Sequence, residues 1–322
     1  MPLTIADRWV WDFWVARDRQ SWHIFYLRAP KSLVDPDRRH RNATIGHARS
    51  DDLRRWEVLP DPFALGPAGA WDDLALWTGS VLRVDGIWWM FYTGVSTNDD
   101  GKIQRIGAAV SRDLSTWSKV ASNPLCVTDP TWYETYDPDA WYEEAWRDPW
   151  VFPDPAGERF HMFVAARDRS GPPLSRGVIG HAISSDLLLW TVRPPVARPR
   201  AYGHLEVPQH VSLDGRHYIL FSVQGNMQPG VAADEALEGI GYLMGDEVEG
   251  PYRAGSTPFV HADRAGTLYA GRVILDTGQP LLVATRHNST DGSYVGTISD
   301  PMRLVISTSG ALSLAESTSP GG

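Results

Sequence analysis

The phrase G-x-A-x-S-x-D-L-x-x-W occurs three times in this chain of 322 residues, as GHARSDDLRRW from Gly46, GAAVSRDLSTW from Gly107 and GHAISSDLLLW from Gly180. Weaker copies, GYLMGDEVEGPY from Gly241 and GTISDPMRLVI from Gly296, extend the series at intervals of 61, 73, 61 and 55 residues. Self-similarity at such a period means one supersecondary unit used repeatedly, and five copies fill the chain. Each copy follows an apolar or aromatic run: WHIFYL from Trp22, WWMFYTG from Trp88, FHMFVAA from Phe160, HYILFS from His217 and PLLVATR from Pro280. These runs read as buried strands. An earlier strand leads each unit across turn residues such as Val84-Asp85-Gly86, Leu213-Asp214-Gly215 and Asp276-Thr277-Gly278.

Four antiparallel strands per repeat, with almost no helical periodicity, predict an all-β five-bladed β-propeller over residues 1–315 as a single domain, followed by a disordered tail, 316–322. A β-sandwich also has short strands and frequent turns, but gives no reason to repeat one phrase at blade spacing. Within the phrase, Asp52, Asp113 and Asp186 are expected to cap the turn, and Trp56, Trp117 and Trp190 to pack between blades. The chain holds fifteen tryptophans, all between Trp9 and Trp190. Either a core or a sugar-stacking surface accounts for such a load.

Thirty basic against thirty-nine acidic residues leave a net charge of −9, which argues against nucleic acid as a partner. No apolar run is long enough to span a bilayer, and the opening MPLTIADRWVWD lacks a secretory n-region and h-region. The expectation is a cytoplasmic protein without a membrane partner, or a secreted one whose leader was removed. Oligomeric state is not legible. The single cysteine, Cys126, reads as a small buried hydrophobe, not as part of a metal site.

One interval is too long. Gly107 to Phe160 is 53 residues, whereas the equivalent stretches are 42, 37 and 39, so about eleven to sixteen residues are inserted within VTDPTWYETYDPDAWYEEAW. A loop this rich in aromatics and carboxylates suits either sugar stacking or packing on itself.

The first strand of each blade lines the central channel, so matching positions in the five leading strands converge on the axis. Counted back from the aromatic strands, Asp12 lies 10 residues before Trp22, Asp148 lies 12 before Phe160 and Glu206 lies 11 before His217. Blades 2 and 5 hold Trp77-Thr78 and Tyr269-Ala270 near the same slot. Three carboxylates meeting in a desolvated funnel disfavour one another's ionisation, and at least one pKa should rise. Separated pKa values let one carboxyl act as nucleophile while another is the acid. Arg147 should help keep Asp148 ionised, provided the backbone bends there, as Pro149 suggests. Three independent structural carboxylates are the alternative.

At these residues the chain resembles known families. Val10-Trp11-Asp12-Phe13-Trp14 is similar to the V-W-D-x-W element of glycoside hydrolase family 68, the levansucrases, and Trp77-Thr78-Gly79-Ser80 to its W-S-G-S. Arg147-Asp148-Pro149 matches the R-D-P motif shared by families 68 and 32, the fructan-acting five-bladed propellers. His204-Leu205-Glu206-Val207-Pro208-Gln209 departs from the D-E-I-E-R of levansucrases and the E-C of family 32, and the N-D-P-N-G of family 32 is absent. With the chain ending soon after blade 5, the C-terminal β-sandwich of family 32 is not expected. The resemblance implies a compact, divergent fructosidase or fructosyltransferase acting on sucrose or fructan with retention. It implies Asp12 as nucleophile, Asp148 as transition-state stabiliser and Glu206 as acid/base. Trp11, Trp77, Thr78, Arg147, Tyr269 and His204 would bind the substrate, and no metal or cofactor is called for. Family 43, whose inverting members place Asp, Asp and Glu on blades 1, 3 and 4 and act on other furanosides, stays open, as does a sugar-binding propeller without catalysis.

Overall fold

The computed structural model describes residues 2–315, so the expected disordered tail lies outside the described residues. Five antiparallel sheets follow one another along the chain. Blade 1 is β1 (Arg8–Arg17), β2 (Trp22–Pro30), β3 (Thr44–Ser50) and β4 (Glu57–Leu59). Blade 2 is β5 (Ala75–Val84), β6 (Ile87–Val95), β7 (Arg105–Ser111) and β8 (Trp117–Lys119). Blade 3 is β9 (Trp146–Pro153), β10 (Phe160–Arg167), β11 (Gly177–Ser184) and β12 (Thr191–Ala197). Blade 4 is β13 (Glu206–Leu213), β14 (Arg216–Val223), β15 (Glu238–Gly245) and β16 (Arg253–Asp263). Blade 5 is β17 (Leu268–Ile274), β18 (Leu281–Asn288), β19 (Tyr294–Ile298), β20 (Met302–Ile306) and β21 (Leu312–Leu314). The protein is a five-bladed β-propeller. In blade 5 the third strand is split: β18 pairs with β19 along one half and with β20 along the other. Pro301, which has no N–H for a ladder, lies at the break.

Local chemistry sets the hairpins. Asp85-Gly86 and Asp214-Gly215 both take positive φ, as a two-residue turn matched to strand twist requires. The S-x-D-L turn is also as expected: one carboxylate oxygen of Asp52, Asp113 and Asp186 accepts the N–H groups two and three residues on, at 2.7 to 2.9 Å. An Asp186→Ala variant should lose about 1 kcal/mol of stability, measured by urea unfolding, because two turn donors lose their acceptor.

The tryptophans of the phrase join one blade to the next. Trp117 stands edge-on to Phe25 at 5.5 Å, and Trp190 edge-on to Phe91 at 5.6 Å. Tyr252, in the weaker copy, meets Phe163 the same way at 6.4 Å, and Trp56 packs among blade 1 and blade 5 side chains. Trp117, Trp190 and Tyr252 therefore each set an aromatic against the second strand of the preceding blade. The chain's first segment closes the ring, Leu3 exchanging both backbone hydrogen bonds with Ile298 of β19. Cys126 is buried and free. No helix among the described residues is long and apolar enough to cross a membrane.

The feature that builds the centre is a bulge in every innermost strand. Pairing slips between Trp11 and Phe13 in β1, between Trp77 and Gly79 in β5, between Arg147 and Trp150 in β9, between Glu206 and Gln209 in β13, and between Tyr269 and Arg272 in β17. A bulge sets one extra residue against the partner strand and re-aims its side chain. Asp12, Asp148, Val207 and Ala270 take φ of 25°, 59°, 53° and 49° at these points. After Asp148 and Val207 comes Pro149 or Pro208, which needs no ladder partner, and after Ala270 comes Gly271, whereas Asp12 is followed by Phe13. At Gly79 a Cβ would lie 2.0 Å from the Phe91 carbonyl oxygen, so no other residue fits.

Candidate active site

The bulges sort the channel-lining residues into two tiers. The bulged positions are Asp12, Thr78, Asp148, Val207 and Ala270; one residue earlier come Trp11, Trp77, Arg147, Glu206 and Tyr269. Glu206 therefore does not occupy the slot of Asp12 and Asp148, as counting from the aromatic strands suggested. It shares the tier of Arg147 and Tyr269, and Val207 takes the bulged slot. The blade 3 hairpin is longer by two residues, which places Asp148 12 before Phe160 where Asp12 and Val207 both lie 10 before their aromatic strands, so a count of 11 passed as a match. The three carboxylates still line one cavity of about 250 Å³ together with Trp11, Trp77 and Thr78.

Asp12 accepts a hydrogen bond from Thr78 Oγ1 at 2.7 Å. Asp148 Oδ2 accepts the Val207 N–H at 3.0 Å, which the positive φ of Val207 directs inward. The Asp148 N–H donates to Thr93 Oγ1 at 2.9 Å. Glu206 is held at both oxygens, Oε1 by Arg147 Nη2 at 2.7 Å and Oε2 by the Tyr269 hydroxyl at 2.6 Å. Burial pushes Asp12 up to about 6, against the Thr78 hydrogen bond, with the Glu206 charge adding to the rise. Burial pushes Asp148 up to about 7; Arg147 opposes this, while Asp12 and Glu206 reinforce it.

Arg147 was expected to serve Asp148. Its Nε lies 3.8 Å from Asp148 Oδ2, but its hydrogen bonds go to Glu206 and Glu143, each at 2.7 Å, and to Gln104 Oε1 at 3.0 Å. Glu143, whose other oxygen accepts from Gln104 Nε2 at 2.7 Å, is a cavity residue that sequence reading left inside the inserted loop without a role. Arg272 was missed altogether. Its guanidinium, 1% exposed, donates to the carbonyls of Phe13, Val207 and Pro208, joining blades 1, 4 and 5, and places a cation near Asp12 and Asp148. Burial lowers it to about 10. A lone arginine inside the otherwise apolar leading strand of blade 5 was the available signal. Arg272→Met should cost roughly 3 kcal/mol or more in chemical unfolding, since three buried carbonyls lose a charged donor.

His204 does not reach the cavity. It is 1% exposed and stands behind the wall, its Nε2 3.2 Å from both Trp141 Nε1 and the Tyr142 hydroxyl. Tyr269, 4% exposed, acts on Glu206 and not on the cavity surface. The inserted loop packs partly on itself and partly along the cavity. Tyr133 packs edge-on against Trp146, and Trp141 lies under the Arg167 guanidinium at 3.5 Å, whereas Tyr142 and Glu143 face the cavity. No cluster of metal-ligating side chains is found among the described residues.

The raised acids bear on stability. An acid whose folded pKa lies above its unfolded value binds protons more tightly when folded, so it favours folding at low pH and opposes it progressively as pH rises. For Asp148 that window runs from about 4 to about 7. Asp148→Asn should raise Tm at pH 8 and barely change it at pH 4, as read by scanning calorimetry.

A five-bladed propeller whose inner strands aim three carboxylates into one cavity defines the architectural class. The model of the family described as "Glycosyl hydrolases family 32 N-terminal domain" matches residues 15–308, and the chain belongs to that family. An acid beta-fructofuranosidase of Capsicum annuum is 35% identical over 113 residues, 34% of this chain and 16% of that protein. A sucrose-6-phosphate hydrolase of Escherichia coli is 29% identical over 233 residues, 70% of this chain and 44% of that enzyme. The chain thus spans less than half the length of these relatives. Among solved structures, an inulosucrase from Halalkalicoccus jeotgali bound to kestose superposes with a TM-score of 0.76 at 20% identity, covering 98% of this chain and 89% of its own. A levansucrase from Gluconacetobacter diazotrophicus gives 0.75 at 19%, covering 98% and 82%.

Proposed function

We propose that the protein transfers the fructosyl unit of a β-D-fructofuranoside, sucrose or a fructan, to water or a second sugar, with retention through a covalent intermediate. What carries this reading is that carboxylates from blades 1, 3 and 4 line a single cavity beside two indoles. Asp12, oriented by the Thr78 hydroxyl, attacks the anomeric carbon. Glu206 protonates the departing oxygen and then takes a proton from the acceptor. The Tyr269 hydroxyl can donate to or accept from Glu206, so the contact survives either protonation state. Asp148, fixed by the Val207 N–H, faces the positive charge that develops on the furanose ring. Trp11 and Trp77 wall the ring. The named activities of the relatives, a beta-fructofuranosidase and a sucrose-6-phosphate hydrolase, point the same way.

Incubation with sucrose, levan, inulin and aryl furanosides, with the anomer of the first product read by NMR, tests this. Release of β-fructofuranose supports the reading. Inversion, or turnover of arabino- or galactofuranosides alone, supports an inverting furanosidase, and no turnover of any of them supports a binding module. Because Asp12 must be ionised to attack, kcat/KM for the best substrate should fall as pH drops below about 6.

A further inference from the structure

A second cavity adjoins the first. The two share His40 and Gln224 in their walls, and the second continues beneath the segment between β2 and β3 toward blades 4 and 5. Its lining includes Asp35, Asp37 and Glu238, against one guanidinium, Arg39. Arg39 is 6% exposed and committed: it donates to the Pro36 carbonyl, lies 3.5 Å from Asp37 and stacks on Tyr294 at 4.2 Å. The two histidines add no charge near neutrality, since burial holds His40 well below its usual value and lowers His287 to about 3. No lysine lines either cavity, and the first cavity's one arginine, Arg147, is spent on Glu143 and Glu206. The second cavity does offer polar groups to a neutral ligand. Glu238 Oε1, Arg39 Nε and Tyr294 Oη are buried atoms without a hydrogen-bond partner, the uncharged His287 ring bringing its Nε2 to 3.6 Å from Glu238 Oε1.

We propose, resting on the fructosyl-transfer reading, that this second cavity receives the uncharged sugar joined to the fructosyl unit, and that its acidic lining rejects phosphorylated sugars. A hydroxyl-rich ring can satisfy both the carboxyl and the guanidinium faces. A phosphate dianion would be desolvated among Asp35, Asp37 and Glu238 with Arg39, already beside Asp37, as the one cation of the lining, and like-charge juxtaposition is strongly unfavourable. The chain would thus differ in substrate from the sucrose-6-phosphate hydrolases it resembles in sequence.

The test compares kcat/KM for sucrose, sucrose 6-phosphate and methyl β-D-fructofuranoside, in the wild type and in Glu238→Gln. The expected result is a preference for sucrose over its 6-phosphate of about 100-fold or more. The variant should narrow that preference and lower the ratio of sucrose to methyl fructofuranoside by about tenfold. Tyr294→Phe, which removes only a hydroxyl, should lower the second ratio in the same direction. Equal or better use of the 6-phosphate, or ratios unmoved in both variants, would overturn the assignment. Failure of all three substrates in the wild type would instead overturn the fructosyl-transfer reading on which it rests.

Discussion

Asp12→Asn should lower kcat on sucrose by about 10⁴-fold or more while the protein stays folded, with an unchanged far-ultraviolet spectrum and a Tm no lower than the wild type's at pH 7. The size of the loss follows from the role: an amide is no nucleophile, and no neighbouring group can replace it at the anomeric carbon. The stability half of the expectation follows from burial. Asp12 sits where its charge is unfavourable enough to push its pKa up to about 6, so removing the charge relieves the fold as it disables the chemistry. Thr78 loses a charged acceptor but keeps a hydrogen-bond partner in the amide oxygen. A carboxylate with a purely structural task would give the opposite pattern, a lower Tm with activity retained in the folded fraction.

Glu206→Gln should be distinguished from Asp12→Asn by its dependence on the leaving group. With sucrose, whose departing alkoxide needs a proton, kcat should fall by about 10² to 10⁴-fold. With β-fructosyl fluoride, whose leaving group needs none, formation of the intermediate should be nearly unimpaired, and only its hydrolysis should slow. Azide, a nucleophile that requires no base, should restore turnover of the fluoride and release β-fructosyl azide. Loss of activity on both substrates to the same degree, without azide rescue, would deny Glu206 the proton-transfer role. The glutamine would still accept from Arg147 or Tyr269, so the wall around it should persist.

The five blades were legible because the S-x-D-L-x-x-W phrase encodes two local necessities, an aspartate that accepts two turn N–H groups and an aromatic that packs edge-on against the neighbouring blade. Both act within or next to one repeat, so they recur with it. The bulges were not legible, since a positive φ at Asp12, Asp148 or Val207 is enforced by pairing with the second strand and leaves no residue-type signature beyond Pro149, Pro208 and the glycines. That is why Glu206 was assigned the wrong tier although the three carboxylates do share a cavity. Glu143 and Arg272 went unrecognised for a related reason. Gln104, which holds Glu143, is 39 residues away in blade 2, and the carbonyls of Phe13, Val207 and Pro208 that Arg272 meets lie on other blades. The insertion was located correctly by its length. Which of its aromatics face the cavity depended on His204 and Arg167, around which Trp141 packs.

Acid quenching of Glu206→Gln with β-fructosyl fluoride, followed by proteolysis and mass spectrometry, reaches the heart of the matter, because the variant should form the covalent intermediate faster than it hydrolyses it. One fructosyl unit on the peptide containing Asp12, absent from the Asp12→Asn, Glu206→Gln double variant, is the expected result. Fluoride release with no adduct on that peptide, accompanied by a product of inverted anomeric configuration, would contradict nucleophilic attack by Asp12.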